Sequence, residues 1–356
     1  MDLNNSDIAE VSQLHTPLVI QTAVGANVAL MMHGPPGCGK STILADTAKD
    51  MDMDVIDIRL SQMDPVDLRG LPFIDKEAMI TQWANAGFLP VDPDTRAILF
   101  FDEINQGNNA QQAAAFQLIL DRKCGCSYTL PKGVVPMAAG NRAKDFAIVN
   151  KMSAALRNRF IHITVVSDER NWSSWASRNN IHESIIGFLH FRPEMLNEFV
   201  TCKDADRKRA LSDAPAIATE RSWHFLSSLL HHGIPEAVQL PMIEGTVGPA
   251  ASFEFVAYLE HYQKLPDLDD LIENPDLMQI HSSDPPALKY ALATGLAARA
   301  TDDNAGKVFT ILRKLEPEFT AMAVKDALQR TKAITFVPEF GEWAFENNQL
   351  LTGGRT

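Results

Sequence analysis

Cysteine is scarce in this chain: Cys38, Cys124, Cys126 and Cys202 are the only four among 356 residues. That is too few for a disulfide framework and fits a reducing compartment. No apolar run approaches the roughly 18 residues that cross a bilayer, so no membrane span is expected. The opening residues, Met1 to Asp7, show no basic stretch followed by an apolar one, which is the pattern of a secretory leader. A cytoplasmic protein is the expectation. Positive charge is also in short supply, 32 Lys and Arg against 45 Asp and Glu, for a net charge of −13. Such a surface repels phosphate backbones and argues against sequence-independent nucleic-acid binding.

What is present is a sound core. Hydrophobic residues make up 46% and charged residues 22%, the balance of a packed globular protein rather than a disordered or collagen-like one. The length accommodates roughly two to three domains. Short apolar runs alternate with helical spacing through the first 165 residues. Val28–His33, Val55–Leu60, Ala97–Phe101, Val134–Ala139 and Ile161–Val166 read as strands. Ser41–Lys49 and Asn109–Asp121 read as helices between them. That alternation implies an α/β fold, a parallel sheet with helices on both faces.

Beyond Val166 the pattern turns helical. Asn171–His190, Pro193–Val200 and Arg221–His232 read as helices, and a proline-marked acidic link, Pro266–Asp276, precedes further helical pattern from Pro286 to about Lys332. Two insertions interrupt the first region, Arg69–Pro90 and the hairpin-like Lys123–Gly133 with Gly125 near its tip. Extra loops on a rigid α/β scaffold are where binding commonly resides.

The chemistry starts at Gly34-Pro35-Pro36-Gly37-Cys38-Gly39-Lys40-Ser41, followed by Thr42, which fits G-x-x-x-x-G-K-[ST]. Glycines let the loop turn its backbone N–H groups towards phosphate oxygens, and the helix that follows adds its positive end. Lys40 would reach the β- and γ-phosphates, and the Ser41 hydroxyl would hold Mg²⁺. The apolar strand Ala97–Phe101 then delivers Asp102 to the metal and Glu103 to the attacking water. The base-reading N-K-x-D of a GTPase is missing; the nearest segment, Asn150-Lys151-Met152-Ser153, has no aspartate. A helical second domain after the sheet points instead to ATP-driven conformational work. A nucleotide switch with little turnover is a rival that Glu103 disfavours, and a nucleic-acid motor or loader is one that the charge disfavours.

Here the chain resembles the AAA+ ATPases, within them the MoxR-like and dynein-related branch that includes CbbQ-type activators. The resemblance rests on Gly34–Ser41, Phe100–Asn105, Ala138–Arg142, Leu156–Phe160, Arg221-Ser222-Trp223 and Asp67–Pro72, and runs over roughly residues 15–235. It implies a P-loop AAA+ core over 1–165 and a helical lid over 166–244; the helical pattern of 245–356 reads, mostly without its help, as a C-terminal extension. By the same resemblance Asn141 matches the sensor that helps place the attacking water, and Arg159 the arginine finger supplied across a subunit interface, with Arg157 its alternative. Arg221 matches the lid arginine that reports the γ-phosphate, although Glu220 stands where the family usually has proline. A finger in trans implies a head-to-tail homo-oligomeric ring, and the family makes it a hexamer. The partners implied are a protein client or adaptor and, in this branch, a separate von Willebrand factor A protein.

Other features read as incidental. Cys124-Gly125-Cys126 is a lone C-x-C, and His33, His231 and His232 have no companion at metal-ligand spacing. Cys38 is a tolerated side chain whose alkylation should block nucleotide binding. Phe253, Phe255, Tyr258 and Tyr262 share helical spacing and are expected in the core.

Overall fold

The computed structural model describes residues 8–352 except 78, 126–127, 143–149, 151 and 279–282. Cys126 of the C-x-C and Lys151 of the N-K-x-D comparison therefore lie outside the described residues. The strands in chain order are β1 (Glu10–Ser12), β2 (Leu30–His33), β3 (Asp54–Arg59), β4 (Leu71–Asp75), β5 (Ile80–Ala84), β6 (Ala97–Asp102), β7 (Lys123–Cys124), β8 (Tyr128–Thr129), β9 (Val134–Gly140) and β10 (Ile161–Val166). Six of them form one parallel sheet in the order β1-β10-β2-β9-β6-β3. The expected parallel α/β sheet is what the structure shows, with β1 added at its edge.

Successive side chains of a strand point to opposite faces, and both faces of this sheet are covered. Along β6, Ala97, Leu99 and Phe101 join one hydrophobic cluster with Ala114, Ala115 and Leu118 of the helix Asn109–Asp121. Ile98 and Phe100 join the other, with Leu44 and Ala48 of the helix Lys40–Asp50 and Ile20 of the helix Thr16–Gly25. This two-sided burial is why the central strands read as unbroken apolar runs. Parallel neighbours need long crossovers, and these helices supply them.

Both insertions form small antiparallel hairpins, β4 with β5 and β7 with β8. They lie against each other: the Cys124 thiol donates to the Leu68 carbonyl at 3.0 Å, and the Tyr128 hydroxyl to the Pro90 carbonyl at 2.7 Å.

The chain divides into two compact units. One runs to Val166 and includes Asp204–Ser212; the other comprises Ser167–Lys203 and the chain from Asp213 onward. The second unit is helical. Its helices begin with Glu169–Arg178 and Glu183–Phe191, where one helix was expected over Asn171–His190. The break falls at Asn180, whose φ of 54° lies in the left-handed region that ends helices. Pro193–Val200 is likewise a tight turn, Pro193–Met195, followed by the short helix Glu198–Thr201. Glu220–His232 forms a helix as expected, capped reciprocally by Thr219 and Ser222.

Trp223, Phe188, Phe255 and Tyr258 anchor the first core of this unit, with ring centroids 5.2–5.6 Å apart. That core takes residues from Trp172 to Ala291, on both sides of position 244. Phe253 departs from its expected place: it is 78% exposed, whereas Phe255 is fully buried. The helix Pro249–Tyr262 turns Phe255, Tyr258 and Leu259 inward, and Phe253 falls outside that stripe.

Candidate nucleotide site

β2 ends at His33, and the loop Gly34–Gly39 connects it to the helix Lys40–Asp50. Gly37 and Gly39 take φ of 77° and 80°, open to glycine and costly to other residues. Gly34 is boxed in: a Cβ there would stand 2.9 Å from the Cys38 sulfur and 3.2 Å from the Val165 carbonyl oxygen. The loop is thus folded closely on itself at the carboxyl end of a central strand, the usual ligand position in such sheets.

Lys40 is the most telling residue. The residue is 8% exposed, and its ammonium donates to the carbonyls of Gly34 and Pro35 at 3.1 and 2.9 Å and to Asn141 Oδ1 at 3.2 Å. The Cys38 sulfur lies 3.8 Å away. Among the described residues no carboxylate pairs with it. A buried cation surrounded only by neutral acceptors lacks the counter-charge that burial ordinarily demands. A phosphate group would provide it.

The second half of the site comes from β6. Ser41 Oγ donates to Asp102 Oδ2 at 2.9 Å, so the hydroxyl and carboxylate expected at the metal are already together. Both are hard oxygen donors, the type Mg²⁺ prefers, and the residues fit that ion. Glu103 follows with φ of 51°, a strained backbone for a non-glycine residue. Its N–H donates to Asp102 Oδ1 at 3.0 Å, which fixes the kink after the strand. β9 runs between β2 and β6 and delivers Asn141 to the Lys40 ammonium. Thr42 is exposed on the first turn of the helix. The structure therefore gathers Lys40, Ser41, Asp102 and Asn141 at one end of three adjacent strands.

Asn105 is a residue whose part the motif alone did not disclose. Its side-chain amide donates to the Asn141 carbonyl at 2.7 Å, and its own Oδ1 is buried with no hydrogen-bond partner among the described residues. A Cβ on Gly140 would stand 2.6 Å from that oxygen, so β9 can pass this close only as glycine.

Arg157 and Arg159 are both exposed, at the end of the short helix Ala154–Arg157 and just beyond it. Arg221 is exposed in the helical unit, next to a buried Glu220 whose carboxylate accepts from the Asn197 amide at 2.7 Å and from the Ser167 hydroxyl. The departure from proline at position 220 is thus occupied by a carboxylate with structural partners.

Cys38 is fully buried, so a thiol reagent meets it only when the loop opens. Among the described residues no cluster of three or more potential metal ligands occurs. His231 donates to the Asn180 carbonyl at 2.9 Å. His33, expected to have no companion at metal-ligand spacing, stands 2.9 Å from His162 through a ring-to-ring hydrogen bond.

No curated protein matches the chain. Among solved structures it is similar to a RuvB point mutant of Thermotoga maritima, at 14% identity and a TM-score of 0.36 over 80% of each chain. It is also similar to NtrX from Brucella abortus in complex with ADP, at 11% identity and a TM-score of 0.36, covering 96% of this chain and 68% of that one. Likeness that distant settles neither activity nor partner. Residues 30–167 match the family described as "ATPase family associated with various cellular activities (AAA)". This segment holds β2, β6, β9 and β10 together with every loop residue from Gly34 to Ser41, and it is an AAA ATPase family domain.

Proposed function

We propose that this chain is an ATP-hydrolysing AAA+ machine of the MoxR-like branch, a cytoplasmic homo-oligomeric ring, hexameric, that remodels or activates a protein client. The observation that carries the reading is the buried Lys40 ammonium, paired with no carboxylate among the described residues, beside the Ser41–Asp102 pair. In this reading Gly34, Pro35, Pro36, Gly37, Cys38 and Gly39 cradle phosphates, and Lys40 exchanges its loop carbonyls for phosphate oxygens. Ser41 and Asp102 would hold Mg²⁺, which would supply positive charge to the phosphates. Thr42 adds to the rim of the cradle. Glu103 orients and deprotonates the attacking water, and Asn141 helps to place it. Arg159, with Arg157 as its alternative, reaches a neighbouring subunit's γ-phosphate.

The domain roles follow: 1–165 binds nucleotide, 166–244 acts as a lid that Arg221 couples to the γ-phosphate, and 245–356 extends it. Hydrolysis would release a two-state domain closure. The two insertions, joined through Cys124 and Tyr128, form the pore-facing or client-facing surface. β4 and β5 expose Leu71, Ile74 and Ile80 there, at 63%, 70% and 53%. A von Willebrand factor A protein is the proposed adaptor.

Glu103→Gln tests the reading. ATP hydrolysis is expected to fall at least about a hundredfold with ATP binding retained. Under ATP, and not ADP, the variant should retain its adaptor or client. Hydrolysis at the wild-type rate would remove Glu103 from the mechanism. Nucleic acid retained through moderate salt, with no protein, would replace remodelling by a motor or loader.

A further inference from the structure

His33 is the last residue of β2, immediately before the phosphate loop, and His162 lies on β10, the adjacent strand. Their rings stack with centroids 5.2 Å apart and planes 20° from parallel. His33 Nε2 stands 2.9 Å from His162 Nδ1. The other nitrogen of His162, Nε2, stands 2.7 Å from the Arg157 carbonyl oxygen.

Elementary bonding rules order this chain. A carbonyl oxygen only accepts, so His162 Nε2 must carry a hydrogen. A neutral imidazole has one donor and one acceptor, which leaves His162 Nδ1 to accept. His33 Nε2 must then donate. Every proton in the couple is assigned by the carbonyl at its end.

That carbonyl belongs to the turn that presents the candidate finger. Arg157 closes the helix Ala154–Arg157, and its oxygen also accepts from the Phe160 N–H at 3.2 Å. The Arg159 N–H donates to the Leu156 carbonyl at 3.1 Å. The Arg157 and Arg159 side chains are exposed, so it is their backbone that the fold holds.

We infer that His33 and His162 are positioning residues that tether the finger-bearing turn, Arg157–Phe160, to the strand from which the phosphate loop springs. The inference rests on the reading of the chain as a ring ATPase with a finger in trans. The couple gives one subunit's phosphate loop a rigid link to the arginine that serves its neighbour. The tether works with both rings neutral. Burial, then the charges of His162, Lys40 and Arg142, push the pKa of His33 down to about 4, so it stays neutral near pH 7.

The test uses the full-length protein with His162→Ala and His162→Gln. Glutamine places an amide N–H near the Nε2 position and should restore the bond to the Arg157 carbonyl. For His162→Ala, kcat is expected to fall about 10- to 100-fold, the usual cost of a small misplacement, with ATP affinity unchanged. His162→Gln should recover most of it. Combined with Arg159→Ala, or Arg157→Ala if that arginine is the finger, His162→Ala should cost little more, because both act on one interaction.

Hydrogen exchange over Ala154–Phe160 should rise in His162→Ala and return in His162→Gln. Wild-type kcat and unchanged exchange in His162→Ala would overturn the inference. If neither arginine affects kcat, the finger reading fails instead. The exchange experiment then still decides whether the tether exists.

Discussion

Two partly buried histidines, one in each unit, solve the same problem in opposite ways. His33 in the nucleotide-binding unit meets another imidazole and, beyond it, a backbone carbonyl. His190 in the helical unit lies between two carboxylates, with Nδ1 2.6 Å from Glu169 and Nε2 2.8 Å from Asp326. Burial alone disfavours charge on both. For His33 nothing opposes it and the pKa falls to about 4; for His190 the charges and hydrogen bonds of Asp326 and Glu169 override it and raise the pKa to about 10. The partner's chemistry, not the depth of burial, decides the charge. In one unit the link at His33 is made of neutral hydrogen bonds. The other is locked by an ion triad tying the helices Glu169–Arg178, Glu183–Phe191 and Pro317–Ala327.

The largest expected effect comes from breaking the charged member. His190→Ala strands two largely buried carboxylates, and unpairing a buried ion costs about 3–5 kcal/mol. His33→Ala loses one neutral hydrogen bond and leaves His162 Nδ1 unsatisfied, about 1–2 kcal/mol. Urea unfolding of the two variants at pH 7 gives the comparison. Equal losses would mean that the triad contributes no more than a neutral contact.

The pH dependence sharpens it next, because the two shifts have opposite signs. A folded pKa raised to about 10 makes the His190 contribution complete below the ordinary histidine value of 6.5 and loses it as pH rises towards 10. A folded pKa lowered to about 4 leaves the fold unpenalised above 6.5, and stability falls as pH drops from 6.5 to 4. The stability gap between wild type and His190→Gln should therefore narrow above pH 8. The slope below pH 6.5 should flatten in His33→Gln. A His190 gap constant from pH 6 to 10 would show that the triad is not ionised as described.

The residues that make this contrast were the least legible ones. Strands such as Ala97–Asp102 announced themselves because both faces of the sheet are buried, and the phosphate loop because its glycines and Lys40 obey a local rule. β1 gave no such sign: three edge residues, none buried, paired only to β10. His33 and His162 are 129 positions apart and meet only because the sheet order sets β10 beside β2. His190 and Asp326 are separated by 136 positions and meet through helix packing. Local spacing encodes the site's reactive groups, while the contacts that hold them are products of topology. Asn105 stands between these cases, visible within its motif but without a role until β9 was seen to pass it.

The smallest effect separates structure from function within one pair of neighbours. Glu220 is 5% exposed and holds Asn197 and Ser167, so Glu220→Ala should cost about 2 kcal/mol, typical of hydrogen bonds to a charged group. Arg221 is exposed, and Arg221→Ala should change stability by no more than about 0.5 kcal/mol. If Arg221 reads the γ-phosphate, that variant nevertheless loses ATP turnover while melting as wild type does. Glu220→Gln keeps both hydrogen-bonding positions and should lie between wild type and alanine in stability. A helical unit indifferent to Glu220→Ala would mean that this buried carboxylate, unlike the two beside His190, adds nothing measurable to stability.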